Sequence, residues 1–328
     1  MSIIVTGSIA TDHLMTFPGR FSDSLVADKL DRVSLSFLVD SLEVRRGGVA
    51  ANICFGLGCL GLRPVLVDAV GADFDDYRSW LERHGVDTAS VHVSDVHHTA
   101  RFVCTTDLDA NQLASFYPGA MSEAREIELS PVVVRVGEPE VVIIGPSDPE
   151  AMVRHTDECR ERGFPFAADP SQQLARMDGD DIRVLVDGAA YLFTNEYEAA
   201  LTEQKTGWSA DEILSRVGCR VTTLGPQGAR VERKGQPEVI VGCPREEAKV
   251  DPTGVGDAFR AGYVAGLAWG LSDERCAQVG SMLATYVIET VGTQEYDLGR
   301  QRFLDRIAEA YGDEAAADIS EHLSCPMP

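Results

Sequence analysis

Basic residues are scarce in this chain. Of 328 residues, 29 are Lys or Arg and 52 are Asp or Glu, giving a formal net charge of −23. So acidic a surface repels phosphate backbones and anionic lipid, so neither nucleic acid nor a membrane is an expected partner. A small anionic ligand stays open, because a helix N-terminus or Mg²⁺ holds phosphate without a basic surface. Cysteine is sparse too. The eight (Cys54, Cys59, Cys104, Cys159, Cys219, Cys243, Cys276 and Cys325) contain no C-x-x-C pair. That spacing argues against zinc and thioredoxin sites and for free thiols in a reducing compartment. No apolar run reaches the roughly 18 residues of a membrane span. The opening Met1-Ser-Ile-Ile-Val-Thr-Gly7 lacks the basic and apolar regions of a secretory signal, so a cytoplasmic protein is expected. G-x-x-x-x-G-K-[ST] is absent, which excludes a Walker-type phosphate loop.

What is present is material for a core. Apolar residues make up 44% of the chain. Short β-branched runs at Ile3–Thr6, 65–69, Val141–Ile144, Phe166–Ala168, 191–194 and 221–224 read as strands. Helix-compatible periodicity fills the intervals, as at Pro149–Arg162, 196–205 and 211–217. Alternating strand and helix predicts an α/β fold with a mostly parallel sheet buried on both sides. Two regions break the rhythm. Residues 33–39 alternate small-polar and apolar, and 101–106 with 113–117 form a hairpin pattern around 108–111. Alternation predicts half-exposed strands, here a small antiparallel lid. The expectation is one domain over 1–328, with the lid formed by about 12–40 and 98–119.

Gly56-Leu-Gly-Cys-Leu-Gly61 matches G-x-G-x-x-G but follows a helical pattern and precedes a strand. The dinucleotide fingerprint needs the reverse order, so a Rossmann oxidoreductase is disfavoured. Further on, Gly262, Gly266 and Gly270 form a stripe that lets a helix approach its neighbour.

The chemistry concentrates in Asp251-Pro-Thr-Gly-Val-Gly-Asp257, a glycine turn opening a helix. Gly254 and Gly256 let the backbone bend and expose N–H groups that, with the helix dipole, suit an anion. Asp257 beside an anion pocket is either a general base toward an attacking hydroxyl or a helix cap; this segment alone leaves both open. Gly47-Gly-Val-Ala-Ala-Asn52 opens another helix, and Gly7-Ser-Ile-Ala-Thr-Asp12 follows the first strand. In open α/β sheets ligands bind at that strand edge, where Asp12 and Asn52 could hold two sugar hydroxyls.

Together these segments resemble the ribokinase-like (PfkB) carbohydrate and nucleoside kinases. Asp251–Asp257 is similar to that family's second signature and Gly47–Asn52 to its first. Thr194-Asn-Glu-Tyr-Glu198 resembles its N-x-x-E element, and Thr223-Leu-Gly-Pro-Gln-Gly228 its strand-end turn beside ATP. The four occur in family order. The resemblance is closer still to actinobacterial-type adenosine kinases, carried by Val5–Leu14, Ser34-Leu-Ser-Phe-Leu-Val39, Thr99-Ala-Arg-Phe102, Ala114–Met121 and Ala168-Asp-Pro-Ser-Gln-Gln-Leu-Ala-Arg176. One departure is Val255, where the family usually has a small residue.

The resemblance implies a ribokinase-like three-layer sandwich with an antiparallel β lid. It implies an ATP- and Mg²⁺-dependent adenosine kinase. Asp257 would be the base, and the N–H groups of Gly254, Val255 and Gly256 the anion hole. Ser8, Asp12, Ser36, Gly48 and Asn52 would hold the ribose, and Phe102 and Phe116 would stack on the purine. Gln172 and Gln173 would line the nucleoside side, with Arg176 reaching phosphate. Asn195, Thr223, Gly225, Gly228 and Gly256 would contact ATP, and Glu198 would act on Mg²⁺ through water. Asp251 and Thr253 match a K⁺ loop. A homodimer through the lid strands is implied as well. The alternatives are a ribokinase-type sugar kinase and a non-catalytic nucleoside sensor.

Overall fold

The computed structural model describes residues 2–24 and 36–323. Its strands are β1 (Ile3–Thr6), β2 (Ala10–Thr16), β3 (Ser41–Gly47), β4 (Val65–Val67), β5 (Ala69–Gly71), β6 (His92–Ser94), β7 (Ala100–Thr106), β8 (Gln112–Tyr117), β9 (Val141–Ile144), β10 (Phe166–Ala168), β11 (Tyr191–Asn195), β12 (Arg220–Thr223), β13 (Ala229–Glu232) and β14 (Val239–Val241). Eight strands form the central sheet in the order β14-β13-β12-β11-β10-β9-β1-β4. It is parallel from β12 to β4 and antiparallel at the β12–β13–β14 end.

Five helices bear on the site: α1 (Val49–Cys59), α2 (Pro149–Arg162), α3 (Glu196–Thr206), α4 (Val255–Ala268) and α5 (Asp273–Ile288). Both sheet faces are covered, as continuous apolar strands require. Ile3, Val5, Val141 and Ile143 face one core, shared with α1, α4 and α5. Ile4, Val142 and Ile144 face the other, shared with α2. Two helix layers around one sheet result, the three-layer sandwich that was expected.

The helices α4 and α5 pack closely at Gly262, where a Cβ would lie 2.7 Å from the Gly280 Cα. The expected stripe stops short of Gly270. That residue ends the helix at φ 73° with no atom near its missing Cβ, so it serves the turn and not the contact. The Gly56 motif lies inside α1, apart from Leu60 at its C-cap and Gly61 just beyond, as its misplaced order predicted.

The second sheet has the order β3-β2-β7-β8. The β7–β8 hairpin sits where the alternation placed it. The other expected lid strand, 33–39, is corrected: 36–39 is not a strand, and 33–35 lies outside the described residues. The strand is β3 instead, Ser41–Gly47, where Glu and Arg interrupt the apolar alternation and hide the signal. The β2–β3 and β7–β8 pairings are antiparallel, and β2–β7 is parallel. The expected 65–69 strand splits at Asp68 into β4 and β5. Phe17, Phe21 and Phe37 cluster together, with centroids 4.7–5.5 Å apart.

Candidate active site

The first helix enters the site through Gly48. Its φ is 94°, and a Cβ there would lie 2.5 Å from the Ser8 carbonyl and 2.6 Å from the Ala10 nitrogen. Only glycine lets this helix start cross the β1–β2 connection so closely. Ser8 Oγ accepts the Val49 N–H at 3.1 Å and caps the same corner.

The anion turn faces it. Gly254 precedes α4 in the left-handed region, φ 77° and ψ 0°, and no side chain caps the helix. The N–H groups of the first turn have no partner within the helix, so with the dipole they form a site for negative charge. The Val255 side chain, the departure from the family pattern, is partly buried and packs against the main core.

Asp257 is half-buried in that first turn and accepts a hydrogen bond from Asn52 Nδ2 at 2.8 Å. Burial pushes its carboxyl up to about 6, against the opposing pull of Arg260 and Asn52, and Glu198 pushes further upward. Arg260, one turn along α4, is buried. It pairs with Asp169 at 2.6 Å and faces Glu198 at 3.7 Å. Burial raises Asp169 to about 7, and Arg260 opposes that rise.

The lid supplies the opposite wall. Asp12 on β2 lies opposite Arg45 on β3 and Phe102 on β7, and Phe102 lies opposite Phe116 on β8. Partners in register share a sheet face, so these four form one row. Asp12, Arg45, Phe102, Asp251, Thr253 and Thr293 line a cleft of about 580 Å³. A surface cavity of similar size near Arg154 and Glu158 contains none of the motifs. Burial raises the Asp12 carboxyl to about 6, with Arg45 opposing. For Asp251, burial acts upward, but hydrogen bonds from Thr253 and Gly292 and the charge of Arg45 hold it below the ordinary carboxylate value. Its carboxylate accepts from the Thr253 N–H at 2.9 Å and the Gly292 N–H at 3.1 Å.

The remaining predicted residues divide. Gln173 is buried, and its amide donates to the Ser147 carbonyl at 2.6 Å. Gln172 and Arg176 are exposed on the turn after β10, and Ser36 is exposed before β3. Thr223 ends β12, and Gly225 and Gly228 bracket the turn into β13. Asn195 and Glu198 form a capping box on α3: Asn195 Oδ1 accepts the Glu198 N–H and Glu198 Oε2 accepts the Asn195 N–H, both at 2.8 Å. The N-x-x-E spacing is thus also a helix start. Among the described residues, no three His, Cys, Asp or Glu side chains group as a metal site.

Sequence reading assigned no role to Arg45, Asp169, Arg260, Thr293 or Gln294. Arg260 carries a signal, a charge on an otherwise apolar helix three residues after Asp257. Thr293 and Gln294 carry none, because their partners are some 240 positions away.

Comparison with known proteins bears on this geometry. The sequence pattern of the pfkB family carbohydrate kinases matches residues 8–298. The nucleoside kinase of Methanothermobacter thermautotrophicus is 30% identical over 271 residues, 81% of this chain and 86% of its own. The structure of Burkholderia thailandensis nucleoside kinase in complex with inosine superposes with a TM-score of 0.81 at 34% identity, covering 94% of this chain and 99% of that one. The same enzyme in complex with ADP-inosine gives 0.80 at 35%, covering 94% and 96%. No helix among the described residues is long and apolar enough to cross a membrane.

Proposed function

From the chain's membership of the pfkB family of carbohydrate kinases, we propose that it transfers the γ-phosphoryl of ATP to the 5′-hydroxyl of adenosine, giving AMP and ADP. The observation that carries this reading is the corner itself. A half-buried carboxylate, Asp257, lies in the first turn of an uncapped helix, hydrogen-bonded to Asn52 at 2.8 Å. A carboxyl near 6 is partly to mostly ionised at neutral pH and still basic enough to take a hydroxyl proton in the transition state. The N–H groups at Gly254, Val255 and Gly256 would offset charge on the transferring group.

In this reading Asp12, Gly48 and Asn52 hold the ribose, with Ser8 and Ser36 nearby. Phe102 and Phe116, paired across β7 and β8, stack on the base. A purine offers a flat face to stack on, and a free sugar does not. Gln172 and Gln173 border the nucleoside, and Arg176 reaches phosphate. ATP lies along Asn195, Thr223, Gly225, Gly228 and Gly256. Mg²⁺, held by the phosphates and by water on Glu198, would draw charge from the transferring group. A K⁺ near Asp251 and Thr253 would steady the anion turn. The relatives named as nucleoside kinases support the substrate class.

The lid also bears on assembly. Leu42, Val44, Leu113 and Tyr117 are exposed large apolar side chains on β3 and β8. By register they share the face opposite Asp12. We assign that face to a second copy of the chain.

The test is ADP release with Mg·ATP and, in turn, adenosine, guanosine, inosine, ribose and fructose 6-phosphate, each with and without K⁺. Release with adenosine alone supports the reading. Release with ribose or fructose 6-phosphate instead keeps Asp257 and the turn but returns Phe102 and Phe116 to packing. Binding of adenosine with no ADP release would favour a sensor.

A further inference from the structure

The Asn52 amide has an orientation that its surroundings dictate. Its Nδ2 donates to Asp257 Oδ2 at 2.8 Å. Its Oδ1 accepts from Thr293 Oγ1 at 2.9 Å and from Gln294 Nε2 at 2.8 Å. Gln294 Nε2 also donates to the Tyr77 hydroxyl at 2.6 Å, and Tyr77 donates to the Gly47 carbonyl at 2.8 Å. Thr293 Oγ1 lies 2.9 Å from the Arg46 carbonyl as well. Asn52 is 6% exposed and Gln294 1%.

Proton counting fixes the direction of this chain. Tyr77 has one proton and gives it to a carbonyl, so its oxygen must accept. Gln294 therefore turns its NH₂ toward both Tyr77 and Asn52. Asn52 must then present Oδ1 to Gln294 and NH₂ to Asp257. A flipped amide would set two oxygens against each other in a buried site, which costs the full penalty of an unmade bond.

We propose that Thr293, Gln294 and Tyr77 are positioning residues that lock the Asn52 amide toward Asp257 and anchor it to the end of lid strand β3. The anchor is the backbone carbonyl of Gly47, the last residue of β3, which accepts the Tyr77 proton; the single Thr293 proton goes to Asn52 Oδ1, with the Arg46 carbonyl 2.9 Å away as the competing acceptor. The strand carrying Arg45 into the cleft is thus tied by hydrogen bonds to the base. The lock also leaves one Asn52 amide hydrogen for substrate. It favours the ionised base, because an amide NH₂ facing a carboxylate stabilises its charged form. Other groups facing Asp257 are Arg260 on its own helix, Glu198 on α3, Asp169 after β10 and Tyr296. The proposal rests on Asp257 acting as the base.

The experiment compares Gln294→Leu, Thr293→Val, Thr293→Ser and Tyr77→Phe in the full chain. Steady-state kinetics with adenosine and Mg·ATP give the pH profile, and the melting temperature is read alongside. Misaligning the base costs about 10²-fold in kcat for Gln294→Leu, a larger loss than the accompanying rise in KM for adenosine through Asn52's own contact with the ribose. The acid limb of the profile moves to higher pH in Gln294→Leu and Thr293→Val. Thr293→Ser keeps the hydroxyl and restores the wild-type profile; Tyr77→Phe falls between. A lower melting temperature with an unmoved pH profile would overturn the lock and leave only packing. So would a change confined to KM. If Gln294→Leu does not fold, Thr293→Val and Tyr77→Phe decide the matter by the same readouts. Should the wild-type chain phosphorylate no nucleoside, the functional reading fails, and ¹³C carboxyl titration of Asp257 in the ligand-free chain still tests the lock. An equal titration midpoint in wild type and Thr293→Val would overturn it.

Discussion

The lid and the Asp257 corner are built on opposite principles. Every residue of β8 is exposed, and Phe116 keeps 46% of its surface. In the corner, Asn52, Thr293 and Gln294 are buried, and a continuous chain of hydrogen bonds runs from Tyr77 to Asp257. A lid can recognise a ligand with exposed rings because the ligand completes their burial. A base cannot wait for the ligand, because a misplaced carboxylate loses the transition-state geometry. The corner therefore spends its polar groups on one another before any substrate arrives, and the lid leaves its apolar groups open.

Removing the proposed base sharpens this contrast most. Asp257→Asn should lower turnover by about 10²–10⁴-fold. Adenosine affinity by calorimetry should change by no more than about threefold, because the asparagine preserves the shape of the corner. Turnover near wild type would break the assignment. Next comes pH. A base with its carboxyl raised to about 6 is deprotonated above that pH and active, and is protonated below it and inactive. The rate should therefore fall as pH drops through about 6, and a flat profile from roughly pH 5 to 8 would remove Asp257 from the step. On the lid side, Phe116→Ala should weaken adenosine by about 1 kcal/mol, the low end of base stacking because the ring is only half covered. KM for ATP should not move; equal effects on both substrates would make the ring structural. The smallest effect on chemistry belongs to the outer lid face. Val44→Lys should convert a dimer to a monomer in light scattering while the pH profile stays in place. A wild-type chain that is already monomeric would end that proposal.

How much was legible differs between the two regions for a physical reason. The parallel sheet was readable because Ile3–Thr6, Val141–Ile144 and Phe166–Ala168 are continuous apolar runs, which only a doubly covered sheet explains. The anion turn was readable because a left-handed residue beside a helix start calls for glycine, and Gly254 is one. In the lid, the β7–β8 hairpin showed its alternation. Strand β3 did not, because Glu43, Arg45 and Arg46 sit at positions where an isolated strand would show a pattern. They belong there because β3 faces a charged cleft on one side and is open on the other.

The sequence by itself determined the layered α/β sheet, the turn at Gly254 and the candidate base, since each depends on residues adjacent in the chain. It left Asp257 suspended between cap and base. In the tertiary structure α4 has no side-chain cap, and the carboxylate accepts from Asn52, 205 positions away. The same distance hid Arg260 with Asp169 and the lock at Thr293 and Gln294. Burial raises pKa values and fixes amide orientations, and burial exists only once distant segments meet.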